Sequence, residues 1–236
     1  MTTMIPWRRG TEPSVGATAA ATDRVSLRVA ELADAPLLYR WRRAQSVRRF
    51  QPLRDVSVAQ LRADIQAHAD GDLFAGRGER FQWMIERNDR AVGWITLVVG
   101  NWEHGLAELG YALAPEAQGK GTMSQALTQL MPDLLVRSPI ERIEARCAVG
   151  NVASSRVLEK LGFVREGTLR QYFRLHGERV DHYLYALLRS DYIPRLEELL
   201  PAWRLRAWGR CGDEPTLEEP GNDGCWNATG SSRGWS

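Results

Sequence analysis

Apolar and polar positions first fall into a period at Val25, where Val25 to Ala30 alternates as a half-buried strand does. Asp34 to Arg43 then carries Leu37, Leu38 and Trp41 at helical spacing. Ser57 is placed to cap a second helix, with Leu61 and Ile65 one turn apart. Two apolar runs, Phe81 to Glu86 and Ala91 to Val99, flank ERNDR, whose Asn88 and Asp89 suit a hairpin turn. A third run, Leu106 to Leu113, follows GNWEHG. Thr122 to Val136 places Met123, Ala126, Leu127, Leu130 and Leu134 on one helical face, with Pro132 predicting a kink or an early stop. Ile140 to Ala148 alternates as a strand, and Asn151 to Leu161 reads as a helix. Phe163–Val164, Thr168 to Leu175 and Val180 to Leu187 complete the strands, the last two joined at HGE. Antiparallel neighbours followed by strand-helix-strand-helix-strand predict an α/β sheet of mixed direction flanked by helices.

The two ends lack this order. Residues 1–22 are rich in Thr, Ala, Gly and Pro and predict a loose arm; 23–190 form one domain. Residues 191–236 form an extension whose later part holds GDEPTLEEPGNDG, NATGSSRGWS and Trp203, Trp208, Trp226 and Trp235. Composition adds exclusions. With 44% hydrophobic and 25% charged residues the chain is an ordinary globular one. A net charge of +2 gives no global case for nucleic-acid binding. No apolar run approaches the ~20 residues that cross a bilayer. Cys147, Cys211 and Cys225 are odd in number and far apart, so neither a disulfide framework nor a metal site is expected. The setting expected is reducing and cytoplasmic.

The sharpest local signal is APEAQGKGTMSQAL, which follows a strand and opens a helix. Gly119 and Gly121 remove side chains where backbone must approach something closely, and Lys120 sits between them. Thr122 and the next residues present unpaired N–H groups at the positive end of a helix dipole. Together these make an anion site suited to phosphate or pyrophosphate. Neither the P-loop nor the dinucleotide glycine pattern fits, and a plain glycine turn with a solvated lysine remains open on this motif alone.

The order strand, QGKG, helix, strand, NVASSRVLEKLGF resembles the GNAT superfamily of acetyl-CoA-dependent N-acetyltransferases across about Val25 to Leu188. Gln118, Gly119, Lys120, Gly121, Thr122 and Met123 look like its pyrophosphate loop, with Met123 departing from the usual small residue. GKGTMSQAL, LGYALAP, Asn151-Val152-Ala153-Ser154 and Leu158 to Phe163 are similar to the branch of ribosomal-protein N-terminal acetyltransferases. The resemblance implies a mostly antiparallel sheet splayed between its two middle strands. The gap would take the pantetheine arm of acetyl-CoA, a co-substrate, against main-chain groups of Tyr111, Ala112 and Leu113. Asn151 would meet the arm or cap its helix, or both.

Acetyl transfer needs a neutral amine, because an ammonium (pKa ~8–10) has no lone pair. It needs a strand N–H near Leu109 to Tyr111 for the oxyanion, and help for the departing thiolate. Many relatives use a tyrosine seven residues after the asparagine; here that position is Leu158. Ser154 is the expected substitute, or simply a first-turn cap. A glutamate that some relatives place near YFRLHG is missing, since Phe173 and Arg174 stand there. Glu108 is therefore the candidate base, or an edge carboxylate paired with an arginine. Glu103, His104 and Tyr172 are reserves, and an acceptor delivered neutral needs only placement. Arg40, Arg42, Arg43, Arg48, Arg49 and Arg54 border the acceptor groove of relatives, as an anion-binding patch or a solvated face.

The expected enzyme acetylates a primary amine, on a protein N-terminus or a small molecule, by direct attack in a ternary complex. The alternatives are another acyl donor such as an aminoacyl-tRNA, and a non-catalytic CoA-binding module. RNA is not the favoured partner, no membrane is involved, and a monomer or homodimer is expected.

Overall fold

A computed structural model describes residues 23–199; the arm 1–22 and the four late tryptophans lie outside the described residues. Seven strands form one sheet: β1 (Val25–Val29), β2 (Arg80–Arg87), β3 (Arg90–Asn101), β4 (Leu106–Leu113), β5 (Arg142–Ala148), β6 (Val164–Leu175) and β7 (Glu178–Leu188). Their order is β1-β2-β3-β4-β5-β7-β6, and only β4 and β5 run parallel. The expected mixed, mostly antiparallel sheet is what forms. The helices are α1 (Ala35–Arg42), α2 (Gln45–Arg48), α3 (Val58–Ala67), α4 (Thr122–Pro132), α5 (Val152–Leu161) and α6 (Arg189–Leu199).

Strand alternation sorts the core into two layers. Trp83, Ile85, Ile95, Leu97, Ala107 and Leu109 turn to one side and meet Ala126, Leu127, Leu130 and Met131 of α4. Met84, Trp94 and Ala112 turn to the other and meet Leu38 and Trp41 of α1 and Leu61 of α3. The rings of Trp41 and Trp94 stack across that second layer, 6.3 Å between centroids.

Local chemistry explains most boundaries. Asn88 and Asp89 both take positive φ, 52° and 60°, at the β2–β3 turn. Ser57 and Gln60 close a reciprocal capping box at the start of α3. The expected helix to Val136 remains α-helical only to Pro132, after which Asp133–Arg137 widens into a π turn. A proline ring crowds the carbonyl four residues back, and the wider turn relieves that contact. The two pieces expected from Phe163 to Leu175 are one strand, β6, interrupted by irregularities at Arg165/Gly167 and Leu169/Phe173. At the second, Gln171 has φ 51°; its N–H donates to Asp181 and its carbonyl accepts from Arg179. α2 and α6 were not legible as separate helices. Tyr192 of α6 is buried in the main core, two residues past the boundary expected at 190.

Candidate active site

β4 and β5 pair only at Leu106↔Arg142, Ala107↔Ile143 and Glu108↔Glu144. Beyond Glu108 the strands part, as expected, and the opening is a cleft of about 460 Å³. Leu109 to Leu113 form one wall, Ala145 to Ala148 the other, and α4 and α5 start along its rim. That size is ordinary for a small-molecule site.

The edge chemistry of β4 follows from its alternation. The N–H of Ala114 donates to Val92 on β3 at 2.8 Å, so Ala112 and Gly110 also turn their main-chain groups to β3. Tyr111 and Leu113 turn theirs into the gap. The Tyr111 carbonyl accepts from Gln51 Nε2 at 2.5 Å, and the Leu113 carbonyl from Gln118 Nε2 at 3.1 Å. Two side-chain amides thus satisfy a strand edge that has lost its neighbour. Of the three residues expected to offer main-chain bonds, Tyr111 and Leu113 are placed for it. Ala112 is not: its N–H and C=O belong to the β3 ladder, and its side chain lies in the core beneath α1.

At the wide end of the cleft, Gly119 (φ 75°) and Gly121 (φ 72°) hold left-handed backbone that an L-residue resists. A side chain would find open space at both positions, with nothing within 4 Å of an added Cβ. Glycine is needed for conformation and for an unobstructed approach, not because the loop is tightly packed. Gly121 is the N-cap of α4, and no side chain caps that helix end. The first-turn N–H groups therefore remain available to a ligand anion. The Thr122 hydroxyl accepts from Arg87 at 2.6 Å, and the same arginine reaches the Lys120 carbonyl. Arg87 also pairs with Asp23. It fastens the loop from behind. Lys120 is exposed, and Met123 is buried against the core while lining the cleft. Gln118 serves Leu113 and Ser46 rather than the loop.

On the opposite wall, Asn151 caps α5 by accepting from the Ser154 N–H at 3.2 Å, a bond made by its amide oxygen and not its amide nitrogen. Ser154 Oγ lies 2.9 Å from the Tyr111 hydroxyl. Leu158, at the position where many relatives carry tyrosine, is buried and lines the cleft. Burial pushes the Tyr111 phenol well above its ordinary range, against a smaller opposing effect of the Ser154 hydrogen bond.

Glu108 sits where the strands part, on the face opposite Tyr111. Its Oε2 is ion-paired with Arg146, which also reaches Glu144 at 3.6 Å and lies over the Tyr172 ring. Gly110, beside it on the same face, leaves open space above the strand. Arg146 is held above the ordinary arginine range by Glu108, against the larger opposing cost of its burial. Tyr172 and Phe173 pack with His182 in one aromatic cluster on that side. Glu103 and His104 lie in the β3–β4 turn, outside the cleft lining.

Sequence reasoning missed Ser46, Phe50, Gln51 and Arg156, all of which line the cleft. The first three come from the α2 region, some sixty residues before β4, with no motif to mark them. Half of the arginine stretch has internal partners. Arg48 and Arg43 approach Asp55 at 2.9 and 3.9 Å, Arg43 lies over Tyr39 and Arg49 over Phe50. Among the described residues no cluster of three His, Cys, Asp or Glu could hold a metal, and no helix is long and apolar enough to cross a membrane.

Known proteins share this architecture. A family model described as the acetyltransferase (GNAT) domain matches residues 24–164. An uncharacterized N-acetyltransferase, p20 of Bacillus licheniformis, is 33% identical over 174 residues, covering 72% of this chain and 96% of its own. The ribosomal protein uS5-alanine N-acetyltransferase of Escherichia coli (strain K12) is 37% identical over 86 residues, 36% of this chain and 44% of its own. Among solved structures, the ribosomal L7/L12 alpha-N-protein acetyltransferase RimL in complex with coenzyme A superposes with a TM-score of 0.63 at 25% identity, covering 72% and 96% of the two chains. Spermidine N-acetyltransferase of Vibrio cholerae with CoA and spermine gives 0.65 at 22% identity, over 72% and 98%, a likeness of fold.

Proposed function

Since this chain belongs to the GNAT acetyltransferase family, and so is an N-acetyltransferase, we propose that its donor is acetyl-CoA and its acceptor the α-amine of a protein N-terminus. The observation that carries this reading is the parted β4–β5 edge leading to an uncapped helix start behind two left-handed glycines. Pantetheine is a linear arm with two amides, matched to a strand edge with open N–H and C=O groups. A diphosphate matches the free amides of Gly119 to Met123. The relatives similar in sequence favour a protein acceptor, since RimL and the uS5 enzyme are named for ribosomal proteins. The spermidine enzymes share the fold at lower identity and make a polyamine the second reading. Another acyl donor and a non-catalytic role are not favoured. Three of the six arginines that an RNA-linked donor would use, Arg43, Arg48 and Arg49, contact Asp55, Tyr39 or Phe50.

In this reading the amine enters from the Glu108–Gly110 face and the thioester lies on the Tyr111 face. The N–H of Leu109 or Tyr111 meets the oxyanion. Glu108 takes the amine proton through water. Asn151 holds the pantetheine amide, and Ser154 meets the sulfur. Residues 23–190, with α6 packed against them through Tyr192, supply this catalytic unit in a cytoplasmic setting. Thiol release from acetyl-CoA is the test, with peptides bearing different N-terminal residues set against spermidine. Turnover on peptides alone supports the reading. Turnover on spermidine alone shifts the acceptor to a polyamine, and no thiol release with any amine defeats it.

A further inference from the structure

The family's usual acid position is filled by Leu158, yet the cleft holds a phenol that no part of the sequence reading used. We propose that the Tyr111 side chain, paired with the Ser154 hydroxyl, is the hydrogen-bond donor that stabilises the sulfur leaving the thioester. The inference rests on the proposed acetyl-CoA reading and deepens it.

The two hydroxyls come from different elements, β4 and α5, and meet across the cleft at 2.9 Å. The Tyr111 hydroxyl also lies 3.5 Å from the Ser154 carbonyl. Both residues line the cleft. A pair of hydroxyls in contact carries two protons and uses one of them in the mutual bond. If the phenol donates to Ser154, the serine O–H is left over; if the serine donates, the phenol O–H is left over. A donor is therefore available in either direction, since the rival claim on the phenol O–H is a long 3.5 Å bond to the Ser154 carbonyl that a charged sulfur displaces, and the bond between the two hydroxyls polarises it further. The titratable groups that act on the phenol are the Cys147 thiol of β5 and the Tyr185 phenol of β7. Arg146 and Arg156 are the charged residues of the cleft wall, and Arg146 is turned to the opposite face by its pairing with Glu108 and Glu144. With burial raising it, the phenol keeps its proton across the neutral range.

The step balances without an added reagent. The amine lone pair forms the C–N bond, and the C–S bond breaks with both electrons passing to sulfur. The amine proton goes to water or to Glu108. The hydroxyl pair keeps both protons and donates only a hydrogen bond, and the thiolate is protonated by solvent as CoA departs.

The test is the acidity of the thiol of CoA bound to the protein, read from the ultraviolet absorbance of the thiolate during a pH titration. It is made on wild type, Tyr111→Phe, Ser154→Ala and the double variant. Removing one donor to a charged sulfur raises the bound thiol's pKa by about one unit, a tenfold change in its ionisation. Turnover falls about tenfold in step, with the KM for acetyl-CoA unchanged. Each single variant keeps one hydroxyl proton, so the double variant, which has neither, shifts further than either single one. A bound thiol whose pKa does not move in Tyr111→Phe, in protein that still binds CoA, overturns the proposal, and so does a double variant that matches Ser154→Ala alone. Should Tyr111→Phe not fold, Ser154→Ala decides alone by the same criterion. Failure of wild type to bind CoA at all overturns the acetyl-CoA reading as well, and is told apart by calorimetry.

Discussion

Substitutions at Gly121 separate conformation from charge in the glycine loop. Its backbone sits at φ 72°, ψ 0°, and nothing lies within 4 Å of an added Cβ. Alanine there meets no clash and suffers only the left-handed strain, ~1–2 kcal/mol. That cost appears as lost folding stability if the loop keeps its shape, or as weaker CoA binding if it relaxes when empty. Glutamate adds a carboxylate beside the expected diphosphate. At about 6 Å and an effective dielectric of about 20, one pair of like charges repels by about 3 kcal/mol before salt screening. Screening at physiological ionic strength leaves roughly half, so CoA binds about tenfold or more weakly than to the alanine variant. Lysine carries the same strain with the opposite charge and binds at least as well as alanine. Calorimetric titration of CoA at two salt concentrations, with urea denaturation for stability, gives both quantities. The gap between glutamate and alanine narrows in high salt. Equal affinities for the glutamate and alanine variants would refute the assignment of a diphosphate to this loop.

Four further outcomes follow from the same geometry. Glu108→Gln lowers turnover by roughly 100-fold with CoA affinity retained, as loss of a general base does; a rate–pH curve matching wild type removes Glu108 from the mechanism. Gln51→Ala frees the Tyr111 carbonyl for the pantetheine amide, so CoA binds roughly 2–10-fold tighter by calorimetry, and weaker binding would show that Gln51 helps the ligand instead. Leu127 is fully buried between α4 and the sheet, so Leu127→Ala costs ~2–5 kcal/mol in urea unfolding, and a loss under about 1 kcal/mol contradicts the packing. Arg142 holds the exposed Glu166 carboxyl below its ordinary value of 4.5. A depressed carboxyl stabilises the fold above its unfolded pKa and loses that contribution as pH falls through the folded one. Glu166→Gln therefore makes stability less steep below about pH 4.5, and superimposable acid limbs would refute the pairing.

Much of this was legible where physics is local. Leu106 to Leu113 alternates, and it is β4 to the residue. Asn88-Asp89, Ser57 and Asn151 carry turn and cap chemistry within a few residues of where it acts. The glycine loop was legible for the same reason. Illegible features depend on distant neighbours. Gln51 matters because β4 has an unpaired edge, and nothing near Gln51 reports that. Glu108 meets Arg146 only because β5 lies beside β4, so both readings of that carboxylate stood until the register was known. Ala112 was grouped with Tyr111 and Leu113 because the family pattern names a segment, whereas main-chain direction reverses at every residue. Tyr111 itself was counted for its backbone, and its side chain acquires a partner only when α5 folds across the cleft.

The alternation of β4 has a consequence for how this enzyme can change. One eight-residue strand keeps the carboxylate of Glu108 on one side and the phenol of Tyr111 on the other, with Gly110 between them. Replacing any one of these alters a single group. Inserting or deleting one residue between Leu106 and Glu108 inverts all of them together, which in the proposed reading delivers the carboxylate to the thioester and the phenol to the incoming amine. Lineages descended from this protein are thus free to vary the identity of these side chains, while the length of the segment between Leu106 and the glycine loop stays locked. Libraries built to retarget the enzyme should randomise letters there and never spacing.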